Sequence, residues 1–162
     1  MRTIARVLSG ATTVVLCLSF TAVAADSVTV PVARDLQADR HVSRQQGIPI
    51  MLLVTRTDCG HCKLLKRAVV HPMIISGEYV DRVLIREVIV DGDSNLVDFD
   101  GTTVSPFAVA DRYDALLTPT VVLVGHDGRV LVDKLIGISN EDMYLWYLDN
   151  ALAAATQILR SD

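Results

Sequence analysis

The chain has 162 residues, of which 51% are apolar and 21% are charged, and its formal net charge is −4. This length suits one compact domain. The acidic balance argues against nucleic acid and against anionic membranes as partners, because both carry dense negative charge.

The first 24 residues have the pattern of a secretory signal. Arg2 and Arg6 form a basic start, residues 7–24 are mostly apolar, and the tripeptide Ala-Val-Ala at 22–24 matches the small-x-small cleavage pattern. We therefore expect a signal peptide at 1–24, with Cys17 removed along with it, and a retained N-terminal anchor is the alternative. The 15 Lys and Arg less these two arginines leave 13 against 19 acidic residues, so the exported chain would carry a net charge of −6.

In the first half of the exported chain, an extended lead-in at 25–32 precedes the predicted domain at 33–162. A polar helix is predicted at 35–46, ended by Gly47. A nearly continuous apolar run at 48–55 predicts a strand that is buried on both faces. Thr57-Asp58 offers a cap for a second helix, which we expect to end at His71-Pro72. A loop or helical turn at 73–80 and a second strand at 82–90 follow.

In the second half, the polar stretch 91–104 reads as a loop, and 105–113 reads as a short helix with Pro106 in its first turn. A strand at 121–124 should pair through a tight turn with a strand at 129–136. Asn140 should cap a last helix at 141–159. One stripe of that helix should face the sheet: Leu145, Leu148, Leu152, Ala155 and Leu159. The order predicts an α/β fold with a mixed central sheet and helices on both faces.

Two cysteines remain after export, and they stand together as Cys59-Gly60-His61-Cys62 at the predicted start of a helix. Unpaired N–H groups and the helix dipole there favour a thiolate, which is the form that attacks a disulfide. A bridge over two intervening residues closes so small a loop that it stabilises the fold less than a long one would. Redox chemistry is therefore the favoured interpretation of the pair.

Other interpretations stay open for the two cysteines, for His61 and for Pro119. The cysteines could form a structural disulfide or half of a metal site, although the other histidines do not form a second ligand pair at suitable spacing. His61 could tune the thiolate, or it could be a solvent-facing spacer. Pro119 could be an ordinary trans turn residue.

Together these motifs resemble the thioredoxin superfamily over about residues 33 to 159. The strand followed by Cys59-Gly60-His61-Cys62-Lys63, the Thr118-Pro119-Thr120 segment before a strand, and the closing hairpin, glycine and helix carry the resemblance. It implies a thioredoxin fold with a four-stranded mixed sheet. Within the superfamily, the chain is most similar to exported bacterial thioredoxin-like proteins.

The resemblance also implies roles for individual residues. Cys59 would be the exposed nucleophile and Cys62 the buried resolving thiol, joined as a disulfide in the oxidised form. Gly60 and His61 form the dipeptide found in protein disulfide isomerase sites. Pro119 would be a cis-proline facing the cysteines, and Thr118 would offer its backbone to an extended substrate segment.

The sequence departs from the family at three positions. Asp58 stands where a tryptophan is common, and Arg67 stands where many thioredoxins have a helix-kinking proline. Leu53 replaces a buried acid that often helps to deprotonate the resolving cysteine. Glu87 on the second strand, or a water, is a candidate substitute, so the proton acceptor for Cys62 is open.

The expected function is that of a periplasmic thiol–disulfide oxidoreductase that needs no bound cofactor. Its expected partners are cysteine-containing exported proteins and a membrane or periplasmic redox partner, with no nucleic acid, and the expected state is a monomer. The alternatives are a periplasmic copper or zinc chaperone that binds through Cys59 and Cys62, and a redox-inactive assembly chaperone. The direction of electron flow is left open, since His61 favours an oxidising site and Asp58 opposes it.

Overall fold

The computed structural model describes residues 28–161, so the predicted signal segment lies outside the described residues. Its strands are β1 Ile50–Thr55, β2 Leu84–Ile89, β3 Leu96–Val97, β4 Thr103–Val104, β5 Thr120–Val124 and β6 Leu135–Ile136. Its α-helices are α1 Leu36–Gln46, α2 Gly60–Leu65, α3 His71–Ser76, α4 Pro106–Arg112 and α5 Glu141–Ser161. A π-helical turn at Lys66–Val70 joins α2 to α3.

The central sheet has four strands in the order β2-β1-β5-β6. β1 runs parallel to β2 and antiparallel to β5, and β5 pairs antiparallel with β6. Every residue of β1 is buried, because the strand lies inside the sheet and carries an almost unbroken apolar run. This arrangement is the mixed four-stranded sheet that the sequence predicts, and the expectation is confirmed.

Each face of the sheet packs against its own set of helices. Alternate β1 residues Met51 and Leu53 belong to one apolar core with the helices from α2 to α3 and with α5. The intervening residues Ile50, Leu52 and Val54 belong to a second core with α1 and α4. The strand period of two residues therefore divides one apolar run between two cores.

The segment just before the first helix lies along the outer edge of β2. The Glu87 backbone N–H donates to the Pro31 carbonyl at 2.7 Å, and the Ala33 N–H donates to the Glu87 carbonyl at 2.8 Å. Val30 is buried in the core that contains Leu53. These hydrogen bonds cover part of the outer edge of β2 with residues 31–33. Fewer backbone groups of this edge strand are therefore open to other molecules.

The predicted end of the second helix at His71-Pro72 is wrong. Helical structure continues from Gly60 to Ser76, with the π-helical turn at Lys66–Val70 immediately before His71. Proline cannot donate a backbone hydrogen bond, and a single π-helical turn is one of the irregularities found inside α-helices. Pro72 takes a position in the first turn of α3, where a missing donor costs little.

Two predictions for the second half of the chain, one of a loop and one of a strand, also need correction. The stretch 91–104, expected as a loop, contains the small hairpin formed by β3 and β4. The strand expected at 129–136 is paired continuously only at β6, with one isolated bridge between Val124 and Val130. Just after this bridge, the Leu131 N–H still donates to the Leu123 carbonyl of β5 at 2.9 Å, and the Leu131 side chain is buried. Between Leu131 and β6 the pairing is interrupted, and Lys134 Nζ donates to the carbonyls of Tyr113 and Asp114.

Within residues 28–161, no helix combines the length and the apolar character needed to cross a membrane.

Candidate active site

The two cysteines lie where β1 has ended and α2 begins. Cys59 is the N-cap residue of α2, and the Cys62 backbone N–H donates to Cys59 Sγ at 3.1 Å. The cap predicted at Thr57-Asp58 is therefore misplaced by one residue or more. A sulfur that accepts from a helix N-terminal N–H is stabilised as a thiolate, because the donor offsets its negative charge.

Cys59 and Cys62 form a disulfide with a sulfur–sulfur distance of 2.04 Å and a Cα–Cα distance of 5.2 Å. Cys59 is half-buried, whereas Cys62 is only 1% exposed. An incoming sulfur can therefore reach Cys59 far more easily than Cys62. The accessible sulfur is the one that the resemblance assigns as the nucleophile.

The turn before Cys59 is fixed by a carboxylate from the loop after β2. Asp91 Oδ1 accepts from the Thr57 backbone N–H at 2.9 Å and from the Thr57 hydroxyl at 3.3 Å. The Thr57 N–H, above all, holds the pKa of the Asp91 carboxyl below its usual value. Thr57 thus positions the turn through Asp91 and does not cap the helix.

The second part of the site is the segment before β5. The Thr118–Pro119 peptide bond is cis. The Thr118 hydroxyl lies 3.6 Å from Cys59 Sγ, within the range of a hydrogen bond to sulfur. The Pro119 carbonyl accepts from the Gly137 N–H at 2.7 Å, which ties this segment to the end of β6. Two segments about sixty residues apart in sequence are therefore brought to one sulfur.

Two exposed apolar side chains flank this segment, and sequence reasoning assigned neither of them to the site. Leu117 immediately precedes Thr118 and is 72% exposed, and Ile136 pairs with Thr120 across the β5–β6 ladder and is 55% exposed. The sequence signal for Leu117 was its position as an apolar residue directly before Thr118-Pro119. These two side chains leave exposed apolar surface close to the Thr118 hydroxyl and the accessible sulfur.

The remaining residues of the motif face solvent. Gly60 and His61 are exposed. The Lys63 ammonium lies 4.0 Å from the Asp58 carboxylate, and both side chains are largely exposed, so this ion pair contributes little to stability. His61 is therefore placed at the rim of the site, next to the accessible sulfur in sequence.

A buried polar cluster lies below the cysteines, on the face of the sheet that α2 covers. Glu87 Oε1 accepts from Lys66 Nζ at 2.8 Å and from the Thr55 hydroxyl at 2.7 Å. Leu53 stands opposite Glu87 in the β1–β2 register. Sequence reasoning named Glu87 but missed Lys66, whose signal was its position one helical turn after Cys62.

Among residues 28–161, no group of three or more His, Cys, Asp or Glu side chains is arranged to hold a metal ion. The donors around the cysteines are thus two sulfurs joined to each other and an exposed imidazole.

A comparison with protein families supports the resemblance that the sequence motifs carry. A model of the thioredoxin-like domain fits residues 36–152, which is well over half of the chain. The chain belongs to this thioredoxin-like family. A comparison with curated protein sequences found no match.

Solved structures show the same thioredoxin-like fold. Oxidised mitochondrial thioredoxin 3 from Saccharomyces cerevisiae is 22% identical with a TM-score of 0.50, over 76% of this chain and 93% of that one. The DsbH oxidoreductase is 14% identical with a TM-score of 0.58, over 83% of this chain and 93% of that one. At these identities the likeness establishes the fold. The family and the Cys59–Cys62 disulfide together support a thiol–disulfide oxidoreductase.

Proposed function

We propose that this thioredoxin-like protein is a periplasmic thiol–disulfide oxidoreductase that exchanges the Cys59–Cys62 disulfide with cysteines of exported proteins. The observation that carries the proposal is the contrast between the two sulfurs of one disulfide. Cys59 is accessible and lies beside the Thr118 hydroxyl, whereas Cys62 is enclosed. The signal-like pattern at 1–24 supports export, and the acidic charge is consistent with protein substrates.

The oxidising reaction runs in two exchanges. A substrate thiolate attacks Cys59 Sγ, a new sulfur–sulfur bond forms, and the Cys59–Cys62 bond breaks with its electron pair on Cys62. A second substrate thiolate then attacks the substrate sulfur of the mixed disulfide and releases Cys59 as a thiolate. The substrate has lost two electrons and the protein has gained them. The reducing reaction is the reverse, with Cys59 attacking and Cys62 resolving.

The polypeptide substrate would lie across the segment around Pro119. The exposed side chains of Leu117 and Ile136 would contact apolar residues near the substrate cysteine. A membrane or periplasmic redox partner would then restore the starting state of the cysteines, and no bound cofactor takes part in either exchange. We expect the protein to act as a monomer.

Activity assays on cysteine variants test the mechanism. In an insulin-reduction or ribonuclease-refolding assay, Cys59→Ser should abolish turnover because no accessible sulfur remains. Cys62→Ser should accumulate mixed disulfides that non-reducing gels detect, because the resolving thiol is gone. Normal turnover by either variant would contradict the mechanism. Inactivity of the wild-type protein in both assays would favour an assembly chaperone, and stoichiometric copper or zinc after anaerobic purification would favour a metal chaperone.

Equilibration in glutathione buffers gives the direction of electron flow. A reduction potential above about −180 mV would indicate disulfide donation or shuffling, and a value near about −270 mV would indicate a reductase.

A further inference from the structure

A lysine from the segment before β6 holds the start of the loop that leads from α4 to the active site. The Lys134 ammonium donates to the Tyr113 carbonyl at 3.3 Å, to the Asp114 carboxylate at 2.7 Å and also to the Asp114 carbonyl. An ammonium has three donors, so all of them meet oxygens of two successive residues. The Lys134 side chain is 24% exposed, and its contacts are therefore partly shielded from water.

The two residues that Lys134 contacts lie where α4 ends and the loop begins. Tyr113 is the C-cap residue of α4, and carbonyls at a helix C-terminus have no partner inside the helix. Asp114 follows with a φ of 46°, in the left-handed region that aspartate adopts more readily than most side chains. The hydrogen bond from Lys134, above all, holds the pKa of the Asp114 carboxyl below its usual value. The cation thus serves both the helix end and the carboxylate.

The other end of this loop is held at the active site. The Thr120 hydroxyl donates to the Leu117 carbonyl, and the Gly137 N–H donates to the Pro119 carbonyl. Near the middle of the loop, Ala115 is fully buried. The loop backbone is therefore fixed at both ends, while the Leu117 side chain projects from it into solvent.

Lys134 also belongs to the segment that carries the second exposed apolar side chain of the site. Ile136 stands two residues after Lys134 and pairs with Thr120 across the β5–β6 ladder. Lys134 consequently links the loop of Leu117 to the segment of Ile136. Two side chains on different segments receive one ligand at a low entropic cost when a link between the segments fixes their separation.

Resting on the proposed function, we propose that Lys134 is a positioning residue that sets the arrangement of Leu117 and Ile136 for substrates with apolar residues beside the reacting cysteine. Its ammonium is engaged by Tyr113 and Asp114, so Lys134 acts on the substrate through the loop. Without this link the loop gains freedom, and binding a polypeptide that contacts both apolar side chains must order it again. A small disulfide that reaches only the sulfur does not use the link.

A single exchange reaction separates this recognition from the sulfur chemistry. In the Cys62→Ser background, the Cys59 thiolate attacks one sulfur of a disulfide and releases the other as a thiolate. The rate constant is measured, by mass spectrometry of the Cys59 peptide, with three disulfides. They are oxidised glutathione, a peptide disulfide with leucine on both sides of its cysteine, and a peptide of the same length with serine at those positions. The leucine peptide should react faster than the serine peptide.

Lys134→Met should slow the reaction with the leucine peptide by about fivefold and leave the other two rates unchanged. A loss of fold or of sulfur reactivity would instead lower all three rates. Lys134→Arg keeps the charge and the donors, so it should recover most of the rate with the leucine peptide. Arg44→Met is the matched control, because it removes an exposed cation from α1, and it should leave all three rates unchanged.

Asp114→Asn provides a second test if Lys134→Met fails to fold by circular dichroism. It removes the charge of an exposed carboxylate and keeps a side chain that tolerates positive φ. The weaker neutral acceptor should slow the leucine peptide by about twofold, again without a change for glutathione.

An unchanged rate with the leucine peptide in Lys134→Met, or an equal loss with all three disulfides, would overturn the inference. If that variant does not fold, an unchanged rate in Asp114→Asn would overturn it. Equal wild-type rates with the leucine and serine peptides would also overturn it, but they would retain thiol–disulfide exchange as the function. A lack of exchange with all three disulfides would contradict the proposed function itself.

Discussion

The two cysteines have the same side chain but different surroundings, and that difference gives them different chemistry. Cys59 caps the helix, accepts the Cys62 N–H and lies near the Thr118 hydroxyl, so its thiolate has donors available. Cys62 is enclosed by the core and lies one turn from a paired ammonium. The residue type therefore sets the chemistry that is available, and the neighbours decide which sulfur another molecule can reach.

Asp91 is expected to stabilise the turn before Cys59 in a pH-dependent way. Replacing it with Ala removes the acceptor for both Thr57 donors and should lower the free energy of unfolding at neutral pH. Because the folded pKa lies below the ordinary value, the contribution is complete above that value. It is lost as pH falls through the folded pKa. Urea unfolding of both proteins from neutral pH to about pH 2 would measure it.

The control for Asp91 is Asp93→Ala, on the same exposed loop, which should stay close to the wild type at every pH. Other carboxylates with lowered pKa values, such as Asp100 and Asp114, are present in both proteins and cancel in the difference. A difference between wild type and Asp91→Ala that grows in acid would contradict the assigned role of the Thr57 hydrogen bonds.

At the scale of elements, the helix predicted at 141–159 is present as α5, but its predicted buried face is partly wrong. The buried residues are Tyr144, Leu148, Leu152 and Ala155, whereas Leu145 is 37% exposed. Tyr144 therefore replaces Leu145 at the start of the buried stripe. Among residues 28–161 its buried hydroxyl has no hydrogen-bond partner, whereas buried tyrosine hydroxyls usually have one. Packing of the ring against the core outweighed the preference for leucine.

The observed buried face of α5 predicts unequal effects for two leucine-to-alanine substitutions on this helix. Leu148→Ala removes a fully buried side chain and should lower the free energy of unfolding by about 2–5 kcal/mol. Leu145→Ala, the matched control, should cost less than about 1 kcal/mol, because its side chain is already partly in water. Chemical unfolding followed by circular dichroism would measure both, and equal losses would contradict the observed face.

At the scale of the whole molecule, buried carboxylates paired with cations connect the layers. Asp39 of α1 pairs with Arg86 of β2, through hydrogen bonds of 2.5 and 2.8 Å. Asp98 pairs with Arg112 of α4, and Glu87 pairs with Lys66. Each pair joins segments distant in sequence. Two of the pairs join helical segments to β2, and the third joins α4 to the segment after β3.

Removing one member of the Asp39–Arg86 pair should be far worse than removing both. Arg86→Met leaves a buried carboxylate without its cation and should cost about 3 kcal/mol. The double variant Asp39→Leu/Arg86→Met should recover most of that loss, because no uncompensated charge remains. Arg44→Met, at an exposed position of α1, is the control and should change stability by no more than about 0.5 kcal/mol. A double variant as unstable as the single one would contradict this account.

The sequence alone was sufficient wherever the signal was local. The apolar run of β1, the capped and periodic helices and the spacing of Cys59 and Cys62 each depend on residues close in the chain. These features predicted the mixed four-stranded sheet and the thioredoxin resemblance. They also placed Cys59 at a helix start, although they assigned the cap to its neighbours.

Tertiary structure decided the features that depend on residues far apart in sequence. The continuation of helix through Pro72, the β3–β4 hairpin and the choice of Tyr144 over Leu145 follow from packing, which overrides weak local preferences. Lys66 pairs with Glu87 only because the fold brings the helical segment that carries Lys66 next to β2. Sequence thus determined which sulfur chemistry is available, and the fold determined which charges surround it, because electrostatic forces depend on distance in space.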